Sequence, residues 1–148
     1  MSSASVRAGN ETLGSIGLGA VVLAGAASGD TPELVDRMAD KLLALRYFRD
    51  SQGLTNLDIV DAGGAYLVVS QFTLLADIRR GRRPGFTTAA PPGVAEPLID
   101  RLLDRLAASG VEVAGGRFGA DMEVKLVNDG PFTLIVDSES DLARRDET

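Results

Sequence analysis

The chain has 148 residues, of which 45% are apolar, with 17 glycines and 6 prolines, enough for one globular domain with a real core. It contains no histidine and no cysteine, which excludes Ser-His-Asp and Cys-His nucleophile pairs, thiolate zinc sites and disulfides. Its 21 acidic and 15 basic residues give a net charge of -6, which argues against non-specific nucleic-acid binding by the whole surface, and no acidic run has the spacing of a metal site.

Glu11 to Ile16 and Gly19 to Ala26 read as two strands joined by a glycine turn, and Val21-Val22-Leu23 suits a strand covered on both faces. The apolar stretch Ile16 to Ala27 is broken by Gly17, Gly19 and Gly25 and follows no charged n-region. It reads neither as a membrane span nor as a signal peptide, so a cytoplasmic location without a membrane partner is expected. Asp30-Thr31-Pro32-Glu33 opens a helix, with Thr31 as N-cap and Pro32 at the first helical position. Leu34, Met38, Leu42 and Leu45 then form one apolar stripe.

Tyr47 to Asn56 is polar, with a turn at Asp50-Ser51-Gln52-Gly53, and Gly63-Gly64 introduces an apolar strand from Ala65 to Val69. Asp77 to Pro92 reads as a long loop anchored by Phe86. A second helix is expected from Val94 to Ala108, with Leu98, Leu102, Leu103 and Leu106 inward and Pro97 in its first turn. Val111 to Val113, Met122 to Asn128 and Phe132 to Asp137 read as the remaining strands. The expected architecture is α/β, one domain over residues 1–138, with the charged tail Glu139 to Thr148 disordered.

Two segments carry most of the chemical information. Ser70-Gln71-Phe72-Thr73 ends an apolar strand and offers a hydroxyl and turn amides, while Asn128-Asp129-Gly130-Pro131 follows another strand with a Gly-Pro peptide. Each also reads as an ordinary strand end or tight turn. Arg79, Arg80, Arg82 and Arg83 surround Gly81; they suit a solvated loop, and equally a set of forks for RNA phosphates.

Taken together, these segments resemble the D-aminoacyl-tRNA (D-tyrosyl-tRNA) deacylases. The resemblance rests on Ser70-Gln71-Phe72-Thr73-Leu74 with Ala76-Asp77, and on Arg80-Gly81-Arg82-Arg83-Pro84 with Phe86. It rests equally on Gly116-Arg117-Phe118-Gly119-Ala120-Asp121-Met122 and Leu126-Val127-Asn128-Asp129-Gly130-Pro131. It implies a three-layer β/β/α fold, a homodimer, and hydrolysis, without cofactor or metal, of the ester joining a D-amino acid to the 3'-terminal adenosine of tRNA. Glycine mischarged on tRNA(Ala) is implied as a further substrate.

By the same resemblance Ser70, Gln71, Phe72 and Thr73 line the pocket for adenosine and ester. Gly130 and Pro131 reach into the partner's pocket through a cis bond, which costs only about 0.5–1 kcal/mol over trans before proline. Two parallel carbonyls there would hold the substrate ammonium group and exclude an L side chain, while glycine would pass. The resemblance implies substrate contacts for Phe118, Ala120, Met122 and Asn128. Read from the residues alone, Phe118 and Met122 serve the core and Asn128 serves its turn.

Ester hydrolysis passes through an oxyanion, and losing one donor to it costs about 2.7–4 kcal/mol. The backbone N–H groups near Phe72 and Thr73 are the candidate donors. Thr73 as nucleophile would need an adjacent base, and the chain has no imidazole. Water assisted by the terminal ribose 2'-hydroxyl is therefore favoured, with Thr73 positioning the substrate.

Two departures from the family pattern stand out. The family's usual first strand, with its Gln-Arg pair, would precede the segment matching Ser2 to Val6 and is not in this sequence. A late-assigned start and a real short form both remain open; the latter predicts weak folding or activity, or a non-catalytic RNA-binding or dimeric module. Phe132 stands where the family usually has valine, and is expected in the core or a dimer contact.

Overall fold

The structure is a computed structural model and describes residues 1–142. The chain opens with β1 (Ser3–Ala8), β2 (Glu11–Ile16) and β3 (Gly19–Ala24), then α1 (Pro32–Ala44). A hairpin of β4 (Phe48–Arg49) and β5 (Thr55–Leu57) and the single turn α2 (Ile59–Ala62) lead into β6 (Ala65–Ser70). A 3-10 turn (Phe72–Leu75), α3 (Pro92–Ala108), β7 (Glu112–Gly115), β8 (Glu123–Val127) and α4 (Ser138–Asp141) follow.

Two three-stranded sheets result. One has the order β2-β1-β8 with antiparallel neighbours; the other has the order β3-β6-β7 with parallel neighbours. Parallel neighbours need long crossovers. The α1–hairpin segment supplies one between β3 and β6, and α3 supplies the other between β6 and β7.

β6 shows why the fold has three layers. Every residue from Ala65 to Val69 is buried, and alternation sends them two ways. Ala65, Leu67 and Val69 meet Ala4, Val6 and Ile16 of the antiparallel sheet. Tyr66 and Val68 turn to the helical side, against Ala39 and Leu42 of α1 and Leu102 and Leu106 of α3. The β/β/α order expected from the sequence is the one observed.

The sheets also meet at a seam. Met1 donates to the Gly19 carbonyl at 3.1 Å and accepts from the Gly19 N–H at 3.2 Å. A Cβ on Gly19 would lie 1.8 Å from the Ala65 carbonyl oxygen, so β3 starts against β6 only because no side chain stands there.

Thr31 caps α1, its hydroxyl accepting from the Leu34 N–H at 3.2 Å, as the sequence predicts. The α1 stripe is shared: Leu42 is buried with Ala39, while Leu34 and Leu45 face a cleft described below. The helices are joined outside the core, where Arg101 donates to both Asp36 oxygens at 2.8 and 2.7 Å. Beneath them the buried Tyr66 hydroxyl, beside Tyr47, meets no hydrogen-bond partner among the described residues. Burial first, and the neighbouring Tyr47 second, push that phenol well above its ordinary range.

Several boundaries differ from the sequence reading. Ser3–Ala8, where the sequence reading expects no element, forms the centre of its sheet, with small Ala4 and Val6 inward. The strand from Gly19 stops at Ala24 and the one expected over Met122 to Asn128 spans Glu123–Val127. Helix α3 starts at Pro92, so Pro97 lies beyond its first turn and removes the bond to the exposed Gly93 carbonyl.

The strand expected over Phe132 to Asp137 does not form: the segment is irregular, with Ile135 91% exposed. Its β-forming residues pair with no strand among the described residues, and a strand without a ladder is not one. Glu139 to Asp141, expected to be disordered, belong to the helical turn α4, capped by the Asp137 carboxylate. Residues 143–148 of that expected tail lie outside the described residues.

Candidate active site

β6 ends at Ser70, whose neighbour across the ladder is Ala24. Gln71 breaks the strand with φ -147° and ψ 79° and hands the chain to the 3-10 turn. Its N–H still reaches the Ala24 carbonyl at 2.8 Å, and its own carbonyl accepts from Leu74 at 3.2 Å. The first donors of such a turn have no preceding carbonyl to pair with. Among the described residues the Phe72 and Thr73 N–H groups accordingly have no hydrogen-bond acceptor. Both residues are exposed, and the side-chain amide of Gln71 donates to the Thr73 hydroxyl oxygen.

This turn sits tightly on the end of β3. A Cβ on Gly25 would lie 2.6 Å from Leu75 Cδ2 and 2.9 Å from the Gln71 carbonyl oxygen. Gly25 therefore sets how closely Gln71–Leu75 approaches the body of the protein. In the sequence Gly25 stands out only as an interruption of an apolar run, because the close approach is a tertiary fact.

The arginine loop springs from the same turn. Asp77 and Gly85 exchange backbone hydrogen bonds of 2.7 and 2.8 Å at its neck, and Phe86 meets Phe72 edge-on, with ring centroids 5.0 Å apart. Arg79 folds back on Asp77 at 3.0 and 2.8 Å, and these hydrogen bonds hold the Asp77 carboxyl below its ordinary value. Arg80, Arg82 and Arg83 are exposed and, among the described residues, meet no carboxylate.

The second segment lies elsewhere. The Gly130–Pro131 bond is cis. Asn128 closes the turn, accepting from the Phe132 N–H at 3.0 Å and donating to the Thr133 hydroxyl at 2.9 Å. The turn borders an open cleft of about 1230 Å³ between β3, the α1 stripe and residues 128–139. Leu74 and Leu75 line it, but Ser70, Gln71, Phe72 and Thr73 do not. One chain thus does not bring Thr73 and Gly130–Pro131 into a common cavity.

A family model described as D-Tyr-tRNA(Tyr) deacylase matches residues 1–137. The chain belongs to that family. It is 52% identical over 139 residues to a D-aminoacyl-tRNA deacylase of Symbiobacterium thermophilum, covering 94% of this chain and 92% of that one. The fold matches a solved structure described as a c-Myc DNA unwinding element binding protein, with TM-score 0.84, 36% identity and 90% and 91% of the two chains covered. A structure described as a probable eukaryotic D-amino acid tRNA deacylase has TM-score 0.70 at 17% identity, covering 84% of this chain and 88% of that one. Like its family, the chain is an enzyme of the hydrolase class.

In this deacylase-family chain the other expected contacts are distributed as follows. Phe118 packs against the cluster of Ala26, Ala90, Ala95 and Leu98. Met122 packs on the core between the sheets and accepts from the Arg117 N–H at 3.4 Å through sulfur. The Ala120 N–H closes a turn onto the Arg117 carbonyl at 3.1 Å. Among the described residues no helix is long and apolar enough to cross a membrane.

Proposed function

We propose that this chain hydrolyses D-aminoacyl-tRNA, and glycyl-tRNA mischarged on tRNA(Ala), at the turn that follows β6. The observation that carries the reading is the pair of N–H groups of the exposed Phe72 and Thr73, without an acceptor among the described residues, beside a hydroxyl held by Gln71, in a member of a deacylase family. The Phe72 and Thr73 amides receive the ester carbonyl oxygen as it becomes an oxyanion. Water attacks the carbonyl carbon while the ribose 2'-hydroxyl takes its proton and passes its own to the 3'-oxygen, which leaves protonated as the oxyanion collapses and the ester bond breaks. Thr73 orients the substrate, Ser70 and Gln71 frame the pocket, and Arg80, Arg82 and Arg83 contact tRNA phosphates.

Chirality is decided by Gly130 and Pro131 of a second copy, whose carbonyls take the substrate ammonium group and leave no room for an L side chain. Two observations support donation from outside. Within one chain these residues and Thr73 line different surfaces. The apolar Leu126, Val127, Leu134 and Ile135, flanking that turn, are also left exposed, at 45%, 55%, 52% and 91%, a surface that a second copy would cover.

Incubation with D-Tyr-tRNA and L-Tyr-tRNA tests the activity. Loss of the D ester alone supports it; binding of both without turnover would instead mark a non-catalytic RNA-binding module. Light scattering that gives the mass of one chain would sink the shared site.

A further inference from the structure

We infer that Tyr47 is a positioning residue for the Gly130–Pro131 turn, acting through Phe132, and that this contact sets how strictly the turn rejects L substrates. The inference rests on the filter reading above. The Asn128 hydrogen bonds to Phe132 and Thr133 fix the shape of the turn, but they are internal to it and tie it to nothing else. Residues 125–135 are all exposed. The chain is secured before the turn where Val127 pairs with Ser3, and again after it where Val136 packs against the helical core.

Between those two points lies one ring contact. Phe132 stacks on Tyr47 with centroids 6.3 Å apart and planes at 11°. Tyr47 is itself well held: its ring lies 4.7 Å from that of Phe48, and Phe48 belongs to the buried core with Tyr66. A chain of ring contacts therefore runs from the core through Tyr47 and Phe132 to the peptide next to Pro131.

A filter that works by exclusion needs its carbonyls fixed to within about 0.5 Å. With the stack removed, the turn shifts sideways when an L side chain presses on it. The same slack weakens its grip on the ammonium group. Discrimination then falls and KM for the D ester rises, while kcat, which depends on the turn after β6, changes little.

The test uses the intact protein and measures hydrolysis of D- and L-Tyr-tRNA, with melting temperature and oligomer mass as controls. Phe132→Val and Tyr47→Leu should each lower the D/L ratio of kcat/KM by about tenfold, given that an ångström of misplacement can cost about a hundredfold. Phe132→Tyr and Tyr47→Phe, which keep both rings, should restore it. The double variant Tyr47→Leu/Phe132→Val should be no worse than the weaker single, since both act through one contact.

Pro131→Ala separates the two levels of argument. If it collapses discrimination while Phe132→Val and Tyr47→Leu keep the wild-type ratio, the inference is overturned and the filter stands. If Pro131→Ala itself keeps the wild-type ratio, the filter reading fails and takes the inference with it. A loss confined to Phe132→Val and accompanied by dissociation also overturns it, since the ring would then serve the interface alone.

Discussion

The Gln71 side-chain amide donates into the Thr73 hydroxyl oxygen on the exposed side of the turn after β6. An amide N–H in that position occupies an oxygen lone pair and leaves the hydroxyl hydrogen directed away, so Thr73 is presented as a donor. Thr73→Ala should therefore leave measurable activity. Gln71→Ala should lower kcat/KM for D-Tyr-tRNA by about two- to tenfold, the equivalent of one hydrogen bond of about 0.5–1.5 kcal/mol. In a Thr73→Ala background the Gln71→Ala change should cost nothing further. Complete abolition by Thr73→Ala, with wild-type melting, would point to a covalent role instead.

Gly25 controls the same turn from behind. A methyl group there meets the Gln71 carbonyl oxygen at 2.9 Å and Leu75 at 2.6 Å, and the backbone contact has no rotamer through which to relax. Gly25→Ala should cost about 1–3 kcal/mol of stability as an overpacked contact. It should also lower kcat by more than tenfold at temperatures where the variant remains folded. Wild-type kcat in a well-folded variant would show that the turn is not held by this contact.

The arginine loop predicts a graded salt dependence. Arg79 is committed to Asp77, whereas Arg80, Arg82 and Arg83 are not paired among the described residues. Replacing each of the last three by alanine should raise KM and reduce the log–log salt slope of tRNA binding by about 0.7–0.9 per lost phosphate contact. Arg79→Ala should change that slope least. Equal slopes for all four variants and the wild type would return the loop to the status of a solvated turn.

Asp36 sets the acid limit of the helix pair. Its hydrogen bonds to Arg101 hold its carboxyl below the ordinary 3.8. A depressed folded-state value means that the contribution is present above the unfolded value and is lost as pH falls through the folded one. Asp36→Asn should therefore lower the melting temperature at pH 7, and the gap from wild type should close as the pH drops below about 3.8. The pair is on the surface, so salt should also narrow the gap. A difference that persists at pH 2 would mean that packing, not charge, links α1 to α3.

Much of this structure was legible in the residues. Thr31-Pro32 announces α1, the unbroken run Ala65 to Val69 announces a strand covered on both sides, and Ser70 to Thr73 marks where that strand must end. β1 is hard to read because Ala4 and Val6 are too small, among serines and an arginine, to make a strong alternation; the period of two is nevertheless there. The failure at Phe132 to Asp137 has a different cause. Its residues favour extended chain, but a ladder depends on a neighbour, and the neighbour is not written in the segment. Gly25 against Gln71, and Tyr47 against Phe132, pair residues distant in sequence, so no local pattern reveals either.

The groups assigned to the oxyanion, the Phe72 and Thr73 N–H donors, belong to every amino acid but proline. Most missense changes at those positions preserve the donors themselves, so the gene has wide latitude in spelling this part of the enzyme. Its vulnerability lies in the frame: a proline at either position would remove one donor, and one residue added or lost between Ser70 and Leu75 would misdirect both.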